Sequence, residues 1–230
     1  MKILSTGIAV IHGDTHASRW IEEIGRLDHD PTIQKVLEPY LKPGDTAIDV
    51  GAMLGAYSHG FKRAVGSDGR VLAFEPNPNA YECLVHNCPG VGCYNVALGD
   101  QDRLCSVKAS DVYPLNVGAS EVFFDEHSAI PMKCLDTFWK DKADYGHIKL
   151  LKVDVEGMEP NVIAGGLEAI RSHRPVIFIE INHMALFRNG YRWHHVVDPL
   201  TDMGYRPKFI GEGHNFREQD WPQLDVIFEP

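Results

Sequence analysis

The chain has 230 residues, 44% of them hydrophobic and 23% charged, with a formal net charge of −10 and a pI near 5.6. That length and apolar share suit one domain with a small N-terminal elaboration, and the acidity argues against nucleic acid as a partner, because tracking a phosphate backbone needs clustered Lys and Arg. No apolar run approaches the roughly 20 residues needed to cross a bilayer, so the expectation is a soluble, cytoplasmic protein with no membrane partner.

The opening Met1-Lys2-Ile3-Leu4 is interrupted by Gly7 and by His12-Gly13-Asp14, with no small-residue cleavage site after it, and reads as an early strand rather than a leader. Pro31 to Leu41 predicts a helix closed by Lys42-Pro43-Gly44. Residues 1–43 are therefore expected to form an arm and helix packed on a domain of residues 44–230. Within that domain, strands are predicted at Thr46–Val50, Arg70–Phe74, Cys93–Leu98, Ile148–Val153, Val176–Ile181, Tyr205–Ile210 and Asp225–Phe228. Helices are predicted at Ala56–Val65, Pro78–Asn87, about Pro160–Ser172 and about Trp193–Met203. Alternation of this kind predicts an α/β fold, doubly wound around a mainly parallel sheet of about seven strands. Gly99 to about Asp144 breaks the pattern. Ser106–Ala109 and Glu121–Phe124 there suit a hairpin and Asp136–Asp141 a short helix, giving a β-rich insertion after the third strand that is expected to lie near the substrate.

The first strand runs directly into a glycine-bearing turn in Asp49-Val50-Gly51-Ala52-Met53-Leu54-Gly55-Ala56-Tyr57-Ser58. Ligands of doubly wound sheets bind outside the carboxyl ends of the strands, which puts this turn at the cofactor crevice. Gly51 permits close backbone approach and Gly55 close packing at the helix start. The second strand ends in Phe74-Glu75-Pro76-Asn77, and Glu75 is suited to accept hydrogen bonds from both hydroxyls of a ribose, each contributing roughly 1.5–3 kcal/mol. A nicotinamide dinucleotide would use the same carboxylate, but the turn lacks the central glycine of G-x-G-x-x-G, and Asp49 would repel a pyrophosphate. A sulfonium cofactor with no phosphate fits better, so S-adenosylmethionine is the expected cofactor.

Two further strands close on polar groups, in Lys152-Val153-Asp154-Val155-Glu156-Gly157-Met158-Glu159 and in Glu180-Ile181-Asn182-His183. Asp49-Val50-Gly51-Ala52 with Gly55, Tyr57 and Ser58, Phe74-Glu75-Pro76-Asn77-Pro78, Asn95-Val96-Ala97-Leu98-Gly99, Leu135-Asp136, the Lys152 to Glu159 block and Glu180 together resemble the FkbM family of methyltransferases over about Gly44 to Ile181. The resemblance implies O-methylation, commonly of sugar or polyketide hydroxyls, and cofactor contacts at Asp49, Gly51, Ala52, Gly55, Tyr57, Ser58, Glu75, Pro76, Asn77, Asn95, Ala97 and Asp154. The family usually carries Asn where this chain has Met53.

Transfer of a methyl group to an alcohol calls for alignment and a base. The candidates are His183, Asp154, Glu180 and Glu156. His183 ranks first because its ordinary pKa lies near neutrality, with Asp154 or Glu180 orienting the acceptor or the base. A divalent metal held by Asp154, Glu180 and His183 is left open, but these residues have no diagnostic ligand spacing and no metal ligand is assigned. Plainer roles stand beside these: Asp154 and Glu156 capping a helix, Tyr57 and Ser58 packing, His194 and His195 facing solvent, Trp193 and Trp221 in the core. Cys83, Cys88, Cys93, Cys105 and Cys134 contain no C-x-x-C pair and read as reduced packing residues. The expected partner is a small-molecule hydroxyl acceptor, a sugar or secondary metabolite, and a homodimer is left open. The competing functions are a catalytically degenerate S-adenosylmethionine-binding module, a methyltransferase acting on protein or RNA, and a nicotinamide oxidoreductase.

Overall fold

A computed structural model describes residues 1–27, 31–211, 214–216 and 222–230; Trp221 lies outside them. In chain order the elements are β1 (Lys2–Ile3), β2 (Ala9–Val10), α1 (Ala17–Ile24), α2 (Pro31–Leu37), β3 (Thr46–Val50), α3 (Ala56–Val65), β4 (Arg70–Phe74), α4 (Pro78–Asn87), β5 (Gly92–Tyr94), β6 (Ala97–Leu98), β7 (Arg103–Lys108), β8 (Glu121–Phe123), β9 (Ile130–Lys133) and α5 (Leu135–Trp139). They continue with β10 (Ile148–Val153), α6 (Glu159–Ala164), α7 (Leu167–His173), β11 (Val176–Asn182), α8 (His183–Arg188), α9 (His194–Asp202), β12 (Arg206–Phe209) and β13 (Gln223–Glu229).

The main sheet has seven strands in the order β12-β13-β11-β10-β3-β4-β5. It is a mixed sheet, with four of its six strand pairings parallel. β5, β4, β3, β10 and β11 pair in parallel, whereas β13 runs against both of its neighbours, β11 and β12. The physical reason is the ending: β12 and β13 follow one another with no helix between them among the described residues, so they return as antiparallel neighbours instead of crossing over. β3, next to the central β10, is buried along its whole length. The chain leaves β3 toward β4 and β5 on one side and later fills the other side with β10 and β11. The switch point therefore lies between β3 and β10, where a ligand crevice is expected.

The predicted third strand divides. β5 belongs to the main sheet, while β6 enters a second, four-stranded sheet of order β6-β9-β7-β8. Between them the Asn95 side-chain amide donates to the carbonyls of Glu75 and Pro76, both at 2.9 Å, and ties the departing chain to the end of β4. The hairpin expected in the insertion is present, with Ser106 opposite Phe123 and Lys108 opposite Glu121. The helix expected over Pro160–Ser172 is two helices broken at Gly165-Gly166, and position 165 has no room for a side chain, since a Cβ there would lie 1.9 Å from the Gly99 carbonyl oxygen. α1 and α8 are additions the pattern did not announce; both are short, and α8 continues directly from β11.

Candidate active site

The turn after β3 is held in a shape that few residues tolerate. Gly51 has φ +76°, and a Cβ there would stand 1.8 Å from the Asp154 carbonyl oxygen. The amides of Gly51 and Ala52 both donate to the Phe74 carbonyl at 3.0 Å, which pins the turn to the end of β4. Gly55 starts α3 at φ +93°, where a Cβ would collide with Cys88 Sγ at 2.3 Å. Between them Met53 adopts φ +50°. Asn is the side chain that best tolerates this left-handed conformation after Gly, which gives a physical reason for the Asn usual in the resembled family.

Glu75 stands at the end of β4 and is 7% exposed. Its two carboxylate oxygens accept from the backbone amides of Met53 and Asn77, each at 2.8 Å, so the carboxylate is fixed in direction before any ligand arrives. Burial raises its pKa to about 7, against the lowering effect of those two amides and of Lys152. Asn77 caps α4, accepting from the amides of Asn79 and Ala80, with Pro78 in the first turn.

Asp49 is completely buried beneath the turn, where Ser58 Oγ donates to it at 2.6 Å and the Lys152 ammonium lies 3.2 Å away. Lys152 was not among the residues expected from the sequence to act. It is 1% exposed, donates to the Gly51 carbonyl at 2.7 Å, and lies 3.4 Å from Asp154. Burial alone would lower its pKa, but Asp49 and Asp154 outweigh burial and lift it to about 12, so it is a fixed cation. The signal was present in the sequence: an ammonium inside the otherwise apolar end of a buried strand is costly unless paired.

On the other side of the switch point, one carboxylate oxygen each of Asp154, Glu156 and Glu180 gather within 4.8 Å of one another. Burial, then the neighbouring Asp154, raises the Glu156 pKa to about 8, and burial together with Asp154, Asp225 and Glu156 holds Glu180 well above its ordinary range. Glu156 has φ +53°, another strained backbone at a strand end. Glu159 closes the loop, accepting from the amides of Val155 and Gly157, both at 3.1 Å.

These pieces face one cavity of about 620 Å³. Of the residues expected from sequence, Gly51, Ala52, Tyr57, Glu75, Pro76, Ala97, Asp154, Glu156 and Glu180 line it. Asp49, Gly55, Ser58, Asn77 and Asn95 support it from outside the lining. His183 is buried in the first turn of α8 with its amide donating to the Pro222 carbonyl; its chain neighbours Asn182 and Met184 line the cavity, and His183 does not. The plainer readings fit at His194 and His195, which are exposed, and at Trp193, which packs on the core.

The roof comes from the arm and the insertion. His16, Ala17 and Ile21 line the cavity from α1, while Val112, Tyr113, residues 116–120 and Val122 line it from the insertion. The two are joined: buried Asp14 accepts from the amide of Val117 at 3.1 Å as well as from Ser18 in α1 at 2.7 Å, and the Thr15 amide donates to Leu115 at 2.9 Å. Arg188 of α8 pairs with Glu121 of β8 at 3.2 Å and ties the insertion to the acidic side.

Comparison with known proteins places this geometry. The family described as Methyltransferase FkbM domain matches residues 49–207. Methyltransferase 1 of Beauveria bassiana (strain ARSEF 2860) is 26% identical over 151 residues, covering 54% of this chain and 59% of that protein, so the chain spans little more than half the length of this curated relative. The crystal structure of methyltransferase FkbM from Methylobacillus flagellatus KT superposes with a TM-score of 0.51 at 16% identity, covering 80% of this chain and 43% of that one, and shows the same Rossmann-like α/β fold. With a family match over most of its length, on the very strand ends that build the cavity, the chain belongs to the FkbM methyltransferase family.

Proposed function

We propose that the chain is an S-adenosylmethionine-dependent O-methyltransferase acting on a hydroxyl of a small molecule, a sugar or secondary metabolite. The observation that carries this reading is the pre-aimed Glu75 carboxylate beside the strained Gly51 turn, in one cavity with the acidic group of β10 and β11. Glu75 accepts from the ribose hydroxyls, Val96 and Ala97 form an apolar seat for the adenine, and the turn through Met53 receives the methionine end. The sulfonium and ammonium of the cofactor are cations, and the carboxylates around the switch point favour them.

The acceptor side is the β10–β11 end. A general base works best with a pKa near the operating pH, and Glu156, at about 8, lines the cavity. Glu156 therefore takes the base role ahead of His183, with Asp154 and Glu180 orienting the acceptor hydroxyl in line with the methyl group. Calorimetric titration with S-adenosylmethionine, with NAD as control, tests the cofactor assignment. Binding to wild type that weakens about a hundredfold or more in Glu75→Ala, with no NAD binding, is expected from the loss of two charge-assisted hydrogen bonds. Binding of NAD in place of S-adenosylmethionine overturns the reading. Transfer of labelled methyl to a panel of hydroxylated acceptors then tests the substrate class.

A further inference from the structure

Lys152 does more than its burial requires, and what it does bears on the cofactor reading above. The ammonium donates to the Gly51 carbonyl at 2.7 Å and reaches Val50 oxygen at 3.4 Å. It also lies 3.2 Å from Asp49, 3.4 Å from Asp154 and 5.2 Å from the centre of the Tyr57 ring. Compensating Asp49 alone would need none of the other contacts, and burying an ammonium costs several kcal/mol that a methionine of similar shape would avoid. The contacts have a common geometry. The Gly51 turn is tied to β4 through its amides and to β10 through its carbonyl, and the β10 tie is Lys152. A cation here also stands between a carboxylate that faces the cavity, Asp154, and one that does not, Asp49.

We propose that Lys152 is a positioning residue of the cofactor site, clamping the Gly51 turn to β10 and supplying the counter-charge for the carboxylates that face the ligand. Replacing it with a neutral side chain leaves Asp49 as an uncompensated negative charge and removes a cation that favours the ionised form of Glu75. Cofactor binding that needs an ionised Glu75 should then be lost at a higher pH than in the wild type.

The test follows the carbon-13 carboxyl signal of Glu75, assigned by its absence in Glu75→Gln, in ligand-free protein, and S-adenosylmethionine affinity by calorimetry, both from about pH 5 to about pH 9. The proteins are wild type, Lys152→Met, Lys152→Arg and the double variant Lys152→Met with Asp49→Asn, which removes the unpaired buried charge and safeguards folding while keeping an acceptor for Ser58. The expected result is a Glu75 midpoint raised by about half a pH unit or more in Lys152→Met. Affinity at neutral pH should be about tenfold weaker in both Met-containing proteins, with the midpoint restored in Lys152→Arg. Full recovery of affinity in the double variant would mean that Lys152 merely offsets Asp49, and it overturns the proposal, as does an unmoved Glu75 midpoint together with unchanged affinity in Lys152→Met. A wild type that binds no S-adenosylmethionine, with a Glu75 midpoint that still responds to Lys152, overturns the cofactor reading and leaves the charge coupling in place.

Discussion

The two sides of the cavity are built from different material. The β3–β4 side is a rigid piece of sheet: Gly51 and Ala52 are tied to Phe74, Glu75 is held by two backbone amides, and Asn77 caps the helix that follows. The roof is assembled from chain segments far apart in sequence, α1, the insertion and α8, joined by Asp14 to Val117 and by Arg188 to Glu121. A site that binds one constant ligand and one variable ligand can fix the first with local backbone geometry and delegate the second to loops, whose sequence is freer to change.

The largest effect that would test this contrast is on the rigid side. Gly51→Ala forces a Cβ to within 1.8 Å of the Asp154 carbonyl oxygen at φ +76° and should lower unfolding free energy by about 3–5 kcal/mol in chemical denaturation. A loss below about 1 kcal/mol would mean that the turn is softer than its hydrogen bonds imply.

An intermediate effect is expected on the acidic side. Glu75, Glu156, Glu159 and Glu180 are all held above the ordinary carboxyl range, so the folded chain binds protons more tightly than the unfolded chain. The stability these four groups contribute to the ligand-free protein is then fully present below the ordinary Glu range and is lost as pH rises toward about 8. Glu156→Gln removes one of these protonation sites. It should leave stability at acidic pH nearly unchanged, add about 1–2 kcal/mol above pH 8, and flatten the decline between them, read from denaturation midpoints across pH. Methyl transfer should fall in the same variant. A stability gain with undiminished activity would take the base role away from Glu156.

The smallest effect is at Met53. Met53→Asn keeps the amide that donates to Glu75 and relieves a left-handed β-carbon, so a gain of about 0.5–1 kcal/mol in thermal denaturation is expected. A loss instead would show that the Met53 side chain, which packs among the apolar residues of the arm and α4, outweighs its backbone strain.

Much of this was legible because it is local. Strand ends, helix starts and the glycine turn follow from short patterns, and β3, α3, β4 and α4 stand where the sequence placed them. The division of residues 93–98 between two sheets was not legible, because Asn95 acts through contacts with Glu75 and Pro76 distant in sequence. Among the site residues, the carboxylates at strand ends were readable as a convergent group. His183 ranked first as base by chemistry, but it is buried in the first turn of α8 while its chain neighbours line the cavity.

By itself, then, the sequence determined the α/β alternation, the glycine turn with Glu75 beside it, and the acidic ends of β10 and β11, since each depends on residues near one another in the chain. Only the tertiary structure decided the antiparallel return of β13, the burial of Asp49 against Lys152, the seating of His183 against Pro222 away from the cavity and the joining of arm to insertion. Each of these is a contact between residues far apart in sequence, made favourable by pairing a buried charge or covering an apolar surface, and neither energy can be assigned until the partner is in place.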